Sequence, residues 1–196
     1  MKNSKLLLGI AFGVLCLAQI GIVLFQIMSY EKILKEGESF YFKVLPLDPY
    51  DPFRGRYVTL RFENATKAPI AQGQSKENQS LGYAILEHQE KLDSVKEITF
   101  IKPQMGNFLE VNVKNNKLRN TQNNTSSMVY FSLPYDRFYM REDIAPKAEK
   151  VLRVRSGVEV KAKLKVLNGK GVIEELLVGE IPLSEYVLLE ASKSPQ

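Results

Sequence analysis

One stretch, residues 46–62 with the sequence PLDPYDPFRGRYVTLRF, organises the chain. Its first half contains three prolines, each of which fixes its own φ and holds the preceding residue in an extended conformation. Its second half alternates polar and apolar side chains, as a β-strand with one buried face does. The stretch therefore predicts a stiff loop that leads directly into a strand.

Further strand patterns lie on both sides of this stretch. The clearest is a terminal hairpin, whose Asn168-Gly169 dipeptide is a strong signal for a two-residue turn. No long helical pattern separates the strands, which argues against a parallel α/β sheet. We therefore expect a mainly β fold, an antiparallel barrel or sandwich of about eight strands, preceded by one transmembrane helix. The predicted strands are residues 39–45, 57–63, 82–88, 96–102, 108–113, 128–133, 157–167 and 172–178.

The segments between the strands are mostly polar. Residues 64–79 and 115–127 are predicted to be loops, and residues 141–150 a helical turn or two that Pro146 limits. The apolar piece at residues 181–189 fits a strand or a helix.

Residues 6–28 carry no charged side chain. A helix of this length spans the roughly 30 Å hydrocarbon core of a bilayer. Lys2 and Lys5 precede it, which favours a cytoplasmic N-terminus and a domain outside. A cleaved signal sequence would have a shorter apolar core, a lipoprotein signal would need small residues before Cys16, and a buried helix would show a polar face. We expect an anchor at residues 1–29, a domain at 30–190 and a polar tail at 191–196.

Composition excludes several classes of function. The single cysteine and the single histidine exclude a disulfide framework and a metal site built from those residues. We therefore expect no metal and no cofactor. The net charge of +5 includes two N-terminal lysines, and the remaining charges of both signs are dispersed, which argues against nucleic-acid binding. His88 lies in a polar run and is interpreted as a surface histidine.

Two groups of residues are candidates for a site. The first comprises Asp48, Arg54 and Tyr57 in the organising stretch, where the aspartates could cap turns, bind a cation or pair with the arginine. The second is the aromatic and charged run at residues 135–142, where Glu142 could pair with Arg137 or Arg141. Turn chemistry and surface ion pairs account for the same residue types. The chain lacks the short motifs of nucleotide-binding proteins, of serine hydrolases with a nucleophile elbow and of zinc proteases.

These residues resemble the GDYXXLXY family of membrane-anchored bacterial proteins. The family motif corresponds to residues 55–62, the lead-in to Pro46, Asp48, Pro49 and Arg54, and a second block to residues 136–142. The terminal hairpin is similar as well. The resemblance implies a membrane anchor and a binding or structural motif, and it carries no activity. The motif residues are Asp48, Pro49, Arg54, Gly55, Tyr57, Leu60, Arg137, Tyr139 and Glu142.

Three positions depart from the family pattern. Arg56 stands where the motif has aspartate, Phe62 where it has tyrosine, and Asp143 where a glycine commonly follows. A function that needed the motif aspartate would be lost here.

We expect a non-enzymatic binding or scaffold module of the bacterial inner membrane, in contact with lipid through residues 6–28 and with an integral membrane protein through the motif. The alternatives are an envelope hydrolase acting near the bilayer and a purely structural role.

Overall fold

A computed structural model describes residues 2–47, 57–63, 65–74, 79–114, 128–141, 143–144, 148 and 159–193. Within these residues the chain forms an N-terminal helix, eleven strands and a C-terminal helix. The elements are α1 (Lys2–Glu36), β1 (Glu38–Leu47), β2 (Tyr57–Phe62), β3 (Lys67–Pro69), β4 (Leu81–Glu87), β5 (Ser94–Thr99), β6 (Phe108–Val113), β7 (Met128–Ser132), β8 (Arg137–Tyr139), β9 (Val160–Leu167), β10 (Lys170–Val178), β11 (Ile181–Pro182) and α2 (Leu183–Lys193).

The strands form two antiparallel sheets. The first has six strands in the order β11-β10-β9-β1-β2-β8, and the second has five in the order β3-β7-β6-β4-β5. The prediction of a mainly β sandwich behind an apolar helix is confirmed. Among the described residues the two sheets do not close into one barrel, so the sandwich is the correct one of the two predicted architectures.

Alternation along the strands places the core between the sheets. In β9 the even-numbered residues from Val160 to Val166 are buried, while the lysines at 161, 163 and 165 are only partly buried. β1 contributes Phe40, Phe42 and Val44, which are almost completely buried. Burial of such side chains contributes roughly 1.5–3 kcal/mol each to folding.

The terminal hairpin forms as the sequence predicts. Leu167 pairs with Lys170 across a two-residue turn. Asn168 has φ 52° and Gly169 φ 84°, which is the left-handed conformation that such turns require. The turn also joins the two sheets, since the backbone N–H of Glu110 in β6 donates a 2.9 Å hydrogen bond to the carbonyl of Gly169.

The structure adds three strands that the sequence pattern misses, β3, β8 and β11, which have three, three and two residues. They are too short for an alternating pattern to stand out. β3 lies in the stretch predicted to be a loop, and its pairing with β7 buries Ala68. The ambiguous C-terminal piece resolves into β11 followed by α2. In the predicted helical turn, Ala148 donates its backbone N–H to the carbonyl of Ile144.

Helix α1 runs directly into β1 with Gly37 between them. Residues Leu7–Glu36 are long and apolar enough to cross a membrane, and the most apolar window of this helix has no buried residue. Its position is compatible with a single-pass membrane anchor, and a signal sequence passes the same test. Near its C-terminal end the helix packs on the domain, where Ile33 is 3% exposed.

Candidate functional site

Strands β2 and β8 place Tyr57, the described member of the first group, next to the second group. They pair antiparallel, with Tyr57 opposite Tyr139 and Thr59 opposite Arg137. β8 is an edge strand of the six-stranded sheet, so the second group lies at the sheet margin with the motif strand behind it. Of the predicted site residues, Tyr57, Leu60, Arg137 and Tyr139 therefore belong to one region of the structure.

The other predicted site residues, Asp48, Pro49, Arg54, Gly55 and Glu142, lie outside the described residues, and so does Arg56. The expected pairing of an aspartate of the loop with Arg54 falls there as well. For these residues the interpretation from sequence stays a prediction.

Leu60 holds the site to the core. Its side chain is 4% exposed. Its backbone N–H donates a 2.8 Å hydrogen bond to the carbonyl of Asp136, which lies immediately before β8. In the other direction, β2 pairs with β1, where Leu60 lies opposite Pro46. The motif leucine thus fixes the edge strand onto the sheet.

Asp136, Arg137 and Arg141, the described charged side chains of the second group, lie at the surface. Arg137 Nε is 3.9 Å from an oxygen of the neighbouring Asp136. Arg141 forms two hydrogen bonds with Asp143, of 3.1 and 2.9 Å. Asp143 is the residue that replaces the glycine of the family pattern, so this departure supplies a partner for Arg141. Exposed pairs of this kind contribute about 0–1 kcal/mol.

A groove of about 630 Å³ runs along β8. Its wall is rich in aromatic side chains and is completed by helix α1 and strand β10. The lining residues are Tyr30, Pro134, Tyr135, Asp136, Arg137, Phe138, Tyr139, Gly171, Val172 and Ile173. Tyr30 lies inside the candidate span Leu7–Glu36, directly before its first charged residue, Glu31, so the groove adjoins the end of the charge-free part of the helix.

A second groove, of about 910 Å³, lies between helix α1 and the domain. Tyr30, Pro134, Tyr135 and Gly171 line both grooves, which makes them neighbours. The helix wall of this groove is mostly apolar and includes Ile22 and Phe25, whereas its domain wall includes polar and charged side chains such as Glu110, Asn112 and Lys170.

Tyr135 is one of the residues that line both grooves. Its hydroxyl oxygen accepts a 2.6 Å hydrogen bond from the backbone N–H of Gly171. Burial raises the pKa of Tyr135 to about 12, because the phenolate would lose its hydration. The residue is therefore neutral at physiological pH, and it ties the segment before β8 to the start of β10.

The described lining of the smaller groove offers charge at Asp136 and Arg137 and hydroxyl groups on three tyrosines. Across the part of the chain that the structure describes, no group of three or more acidic, histidine or cysteine side chains could hold a metal ion. The side chains in this groove suit aromatic and hydrogen-bonding contacts with a partner surface.

The sequence analysis missed two parts of this site. Tyr30 belongs to the helix and residues 171–173 to the hairpin, and neither adjoins the motif in sequence. A signal for Tyr30 was present, since tyrosine is enriched where membrane helices meet the aqueous phase. The contribution of β10 depends on tertiary packing, which no local pattern records.

Searches of curated proteins and of solved structures give no significant match. A family model described as GDYXXLXY protein matches residues 19–176. This match runs from the middle of α1 through β10 and contains the motif strand, the second block and the hairpin. The chain belongs to the GDYXXLXY protein family.

Proposed function

We propose that this protein is a single-pass anchor of the bacterial cytoplasmic membrane whose β domain binds an integral membrane protein at the outer face of the bilayer, without catalysing a reaction. One observation carries the proposal: Tyr30 of the apolar helix and the aromatic residues around β8 line the same groove. A partner seated there would touch both the end of the anchor and the strand that pairs with the family motif.

The distribution of charge supports the orientation. Lys2 and Lys5 precede the apolar segment. After the segment, Lys32 and Lys35 form ion pairs with Glu36 and Glu31 at spacings of four residues. Because lysines tend to stay on the cytoplasmic side, Lys2 and Lys5 favour an N-terminus inside and a domain outside.

The composition of the groove supports binding. Tyrosine and arginine are enriched among the residues that dominate the energy of protein interfaces. Tyr139 is 63% exposed, and Phe138 and Tyr135 lie partly buried beside it. In this proposal the loop from Asp48 to Tyr57 and the block from Arg137 to Glu142 form the contact surface, and Leu60 keeps them in register.

Site-specific photocrosslinking in native membranes tests the proposal. A photoreactive residue at position 139 should give one discrete adduct with a membrane protein, and the same residue at Lys96, an exposed position on β5, should not. Asp48→Ala, Arg54→Ala and Arg137→Ala should each weaken the adduct while the domain stays folded. Equal adducts from positions 139 and 96, or unfolding of both loop variants, would contradict a binding role for this surface.

Topology has its own test. A phosphatase reporter fused to the C-terminus is active only outside the cytoplasm, so it should be active here. Release of a shortened chain into the soluble fraction would instead identify the apolar segment as a cleaved signal.

A further inference from the structure

His88 lies between two carboxylates that come from different sheets. Its Nδ1 is 2.8 Å from Asp93 Oδ1, in the connection between β4 and β5. Its Nε2 is 2.8 Å from Glu38 Oε1, at the first residue of β1. Glu38 follows Gly37 and helix α1 directly, so the cluster is located where the anchor enters the domain.

The arrangement requires a particular protonation state. An ionised carboxylate only accepts hydrogen bonds, and a neutral imidazole has one N–H. Two carboxylates can therefore both be satisfied only by the imidazolium form of His88, which donates from both nitrogens. The ring also stacks on Phe40, with centroids 4.4 Å apart and planes inclined by 2°. Phe40 is completely buried, so His88 covers the end of the core.

The two carboxylates are held differently. The Asp93 side chain is 4% exposed, and its second oxygen accepts a 2.5 Å hydrogen bond from the backbone N–H of Tyr41. The backbone N–H of Asp93 in turn donates to the Tyr41 carbonyl at 2.8 Å. The Glu38 side chain is 48% exposed and has one further partner in Asn107. Asp93 is thus the fixed side of the cluster and Glu38 the releasable side.

We propose that Glu38, His88 and Asp93 form a proton-dependent clamp that fastens the start of β1, and with it the junction to the anchor helix, to the second sheet. When His88 loses a proton, the remaining one stays on Nδ1 toward Asp93. Nε2 then presents a lone pair to the Glu38 carboxylate, and that contact opens. The start of β1 then loses its side-chain link to the second sheet, while its pairing with β9 and the Asp93–Tyr41 bonds remain.

The charged groups that face His88 are Glu38 and Asp93, and both stabilise its cationic form. Hydrogen bonds from His88 to Glu38 first, and to Asp93 second, raise the pKa of His88 above its ordinary value of 6.5. The bond to His88 lowers the pKa of Glu38 below its ordinary value of 4.5.

These pKa shifts make stability depend on pH. The contribution of His88 to the free energy of unfolding is complete below pH 6.5 and is lost as pH rises through its raised pKa. The contribution of Glu38 to the free energy of unfolding is complete above pH 4.5 and is lost as pH falls through its lowered pKa. The clamp is therefore closed in weakly acidic medium and opens toward alkaline pH.

Since His88 is the sole histidine of the chain, its titration can be followed without assignment. The full-length protein in nanodiscs, labelled with ¹³C and ¹⁵N in histidine, should show a pKa above 6.5. At high pH the ¹⁵N shifts should report the Nδ1–H tautomer, whereas free histidine favours Nε2–H. Glu38→Gln should lower the pKa and leave the tautomer unchanged. Glu87→Gln, an exposed carboxylate next to His88 in sequence, should change neither.

Hydrogen exchange measures the opening itself. After correction for the intrinsic pH dependence, protection of residues 38–40 should fall at least severalfold as His88 deprotonates, and that of residues 42–44 should not. Glu38→Gln should make the first segment insensitive to pH. A pKa of 6.5 or lower, an Nε2–H tautomer at high pH, or protection independent of pH in the wild type would overturn the clamp.

Discussion

The backbone N–H of Leu60 lies 2.8 Å from the carbonyl oxygen of Asp136. This bond continues the pairing of the motif strand with β8 beyond Thr59 and Arg137. Because the side chain of Leu60 is buried, one residue joins the edge strand to the core through both its backbone and its side chain. The leucine of the family motif therefore has a structural role that does not depend on any ligand.

Replacement of Leu60 by alanine should lower the free energy of unfolding by about 2–5 kcal/mol, since it removes a buried side chain and leaves a cavity. Urea unfolding followed by circular dichroism measures the change. Arg61→Ala on the same strand is the matched control, because Arg61 is exposed, and it should change stability by less than about 0.5 kcal/mol. Similar losses in both variants would show that the strand, rather than the leucine, sets the stability.

Gly169 and Gly73 both have left-handed backbone conformations, with φ 84° and 76°. A Cβ at Gly169 would lie 3.2 Å or less from ring atoms of Phe108, whereas one at Gly73 would meet nothing within 4 Å. Gly73→Ala should cost about 1–2 kcal/mol from backbone strain alone. Gly169→Ala should cost more, because Phe108 must also move. Equal melting temperatures for the two variants would mean that Phe108 adapts freely.

Local signals explain what the sequence predicted correctly. The hairpin around Gly169 was found because its strands and its turn are contiguous and each follows a simple rule. The apolar helix was found for the same reason. The sequence pattern does not reveal β8, because three residues give no period and the position of the strand depends on pairing with β2, 82 residues away at Tyr57↔Tyr139.

The polar clusters depend even more on tertiary structure. His88 was interpreted as a surface residue, and its side chain is indeed 51% exposed, yet it binds two carboxylates. One of them, Glu38, is 50 residues away in the chain. Nothing in the run around His88 predicts this partner, because the contact exists only once the two sheets have packed.

The junction between anchor and domain yields a further prediction. At Gly37 the backbone N–H donates a 2.9 Å hydrogen bond to the carbonyl of Ile33, and Lys165 Nζ donates to the Gly37 carbonyl at 3.2 Å. A Cβ at Gly37 would collide with the Ile33 carbonyl oxygen and crowd the backbone of Val166. Gly37→Ala should therefore destabilise the junction by about 1–3 kcal/mol.

Limited proteolysis of the full chain in micelles with a lysine-specific protease measures this effect. Cleavage after Lys32 or Lys35 should become several times faster in Gly37→Ala, because Ile33 can no longer stay buried against the domain. Gly21→Ala is the control, since a Cβ there meets nothing within 4 Å. Unchanged cleavage at both lysines would show that the helix end docks without a requirement for glycine.

Tyr135 supplies the last prediction. Tyr135→Phe leaves the backbone N–H of Gly171 without its hydroxyl acceptor, which should lower the free energy of unfolding by about 1–3 kcal/mol at neutral pH.

The raised pKa of Tyr135 makes this stability difference depend on pH. In the wild type the contribution of Tyr135 to the free energy of unfolding is complete below its ordinary pKa of 10.0 and is lost as pH rises through about 12. The stability difference between wild type and variant should therefore shrink above pH 10. Urea unfolding of both proteins between pH 8 and 11 measures it, and Tyr139→Phe, at an exposed tyrosine, is the control. A difference that stays constant over this range would mean that Tyr135 titrates as a solvent-exposed phenol and is not buried beside Gly171.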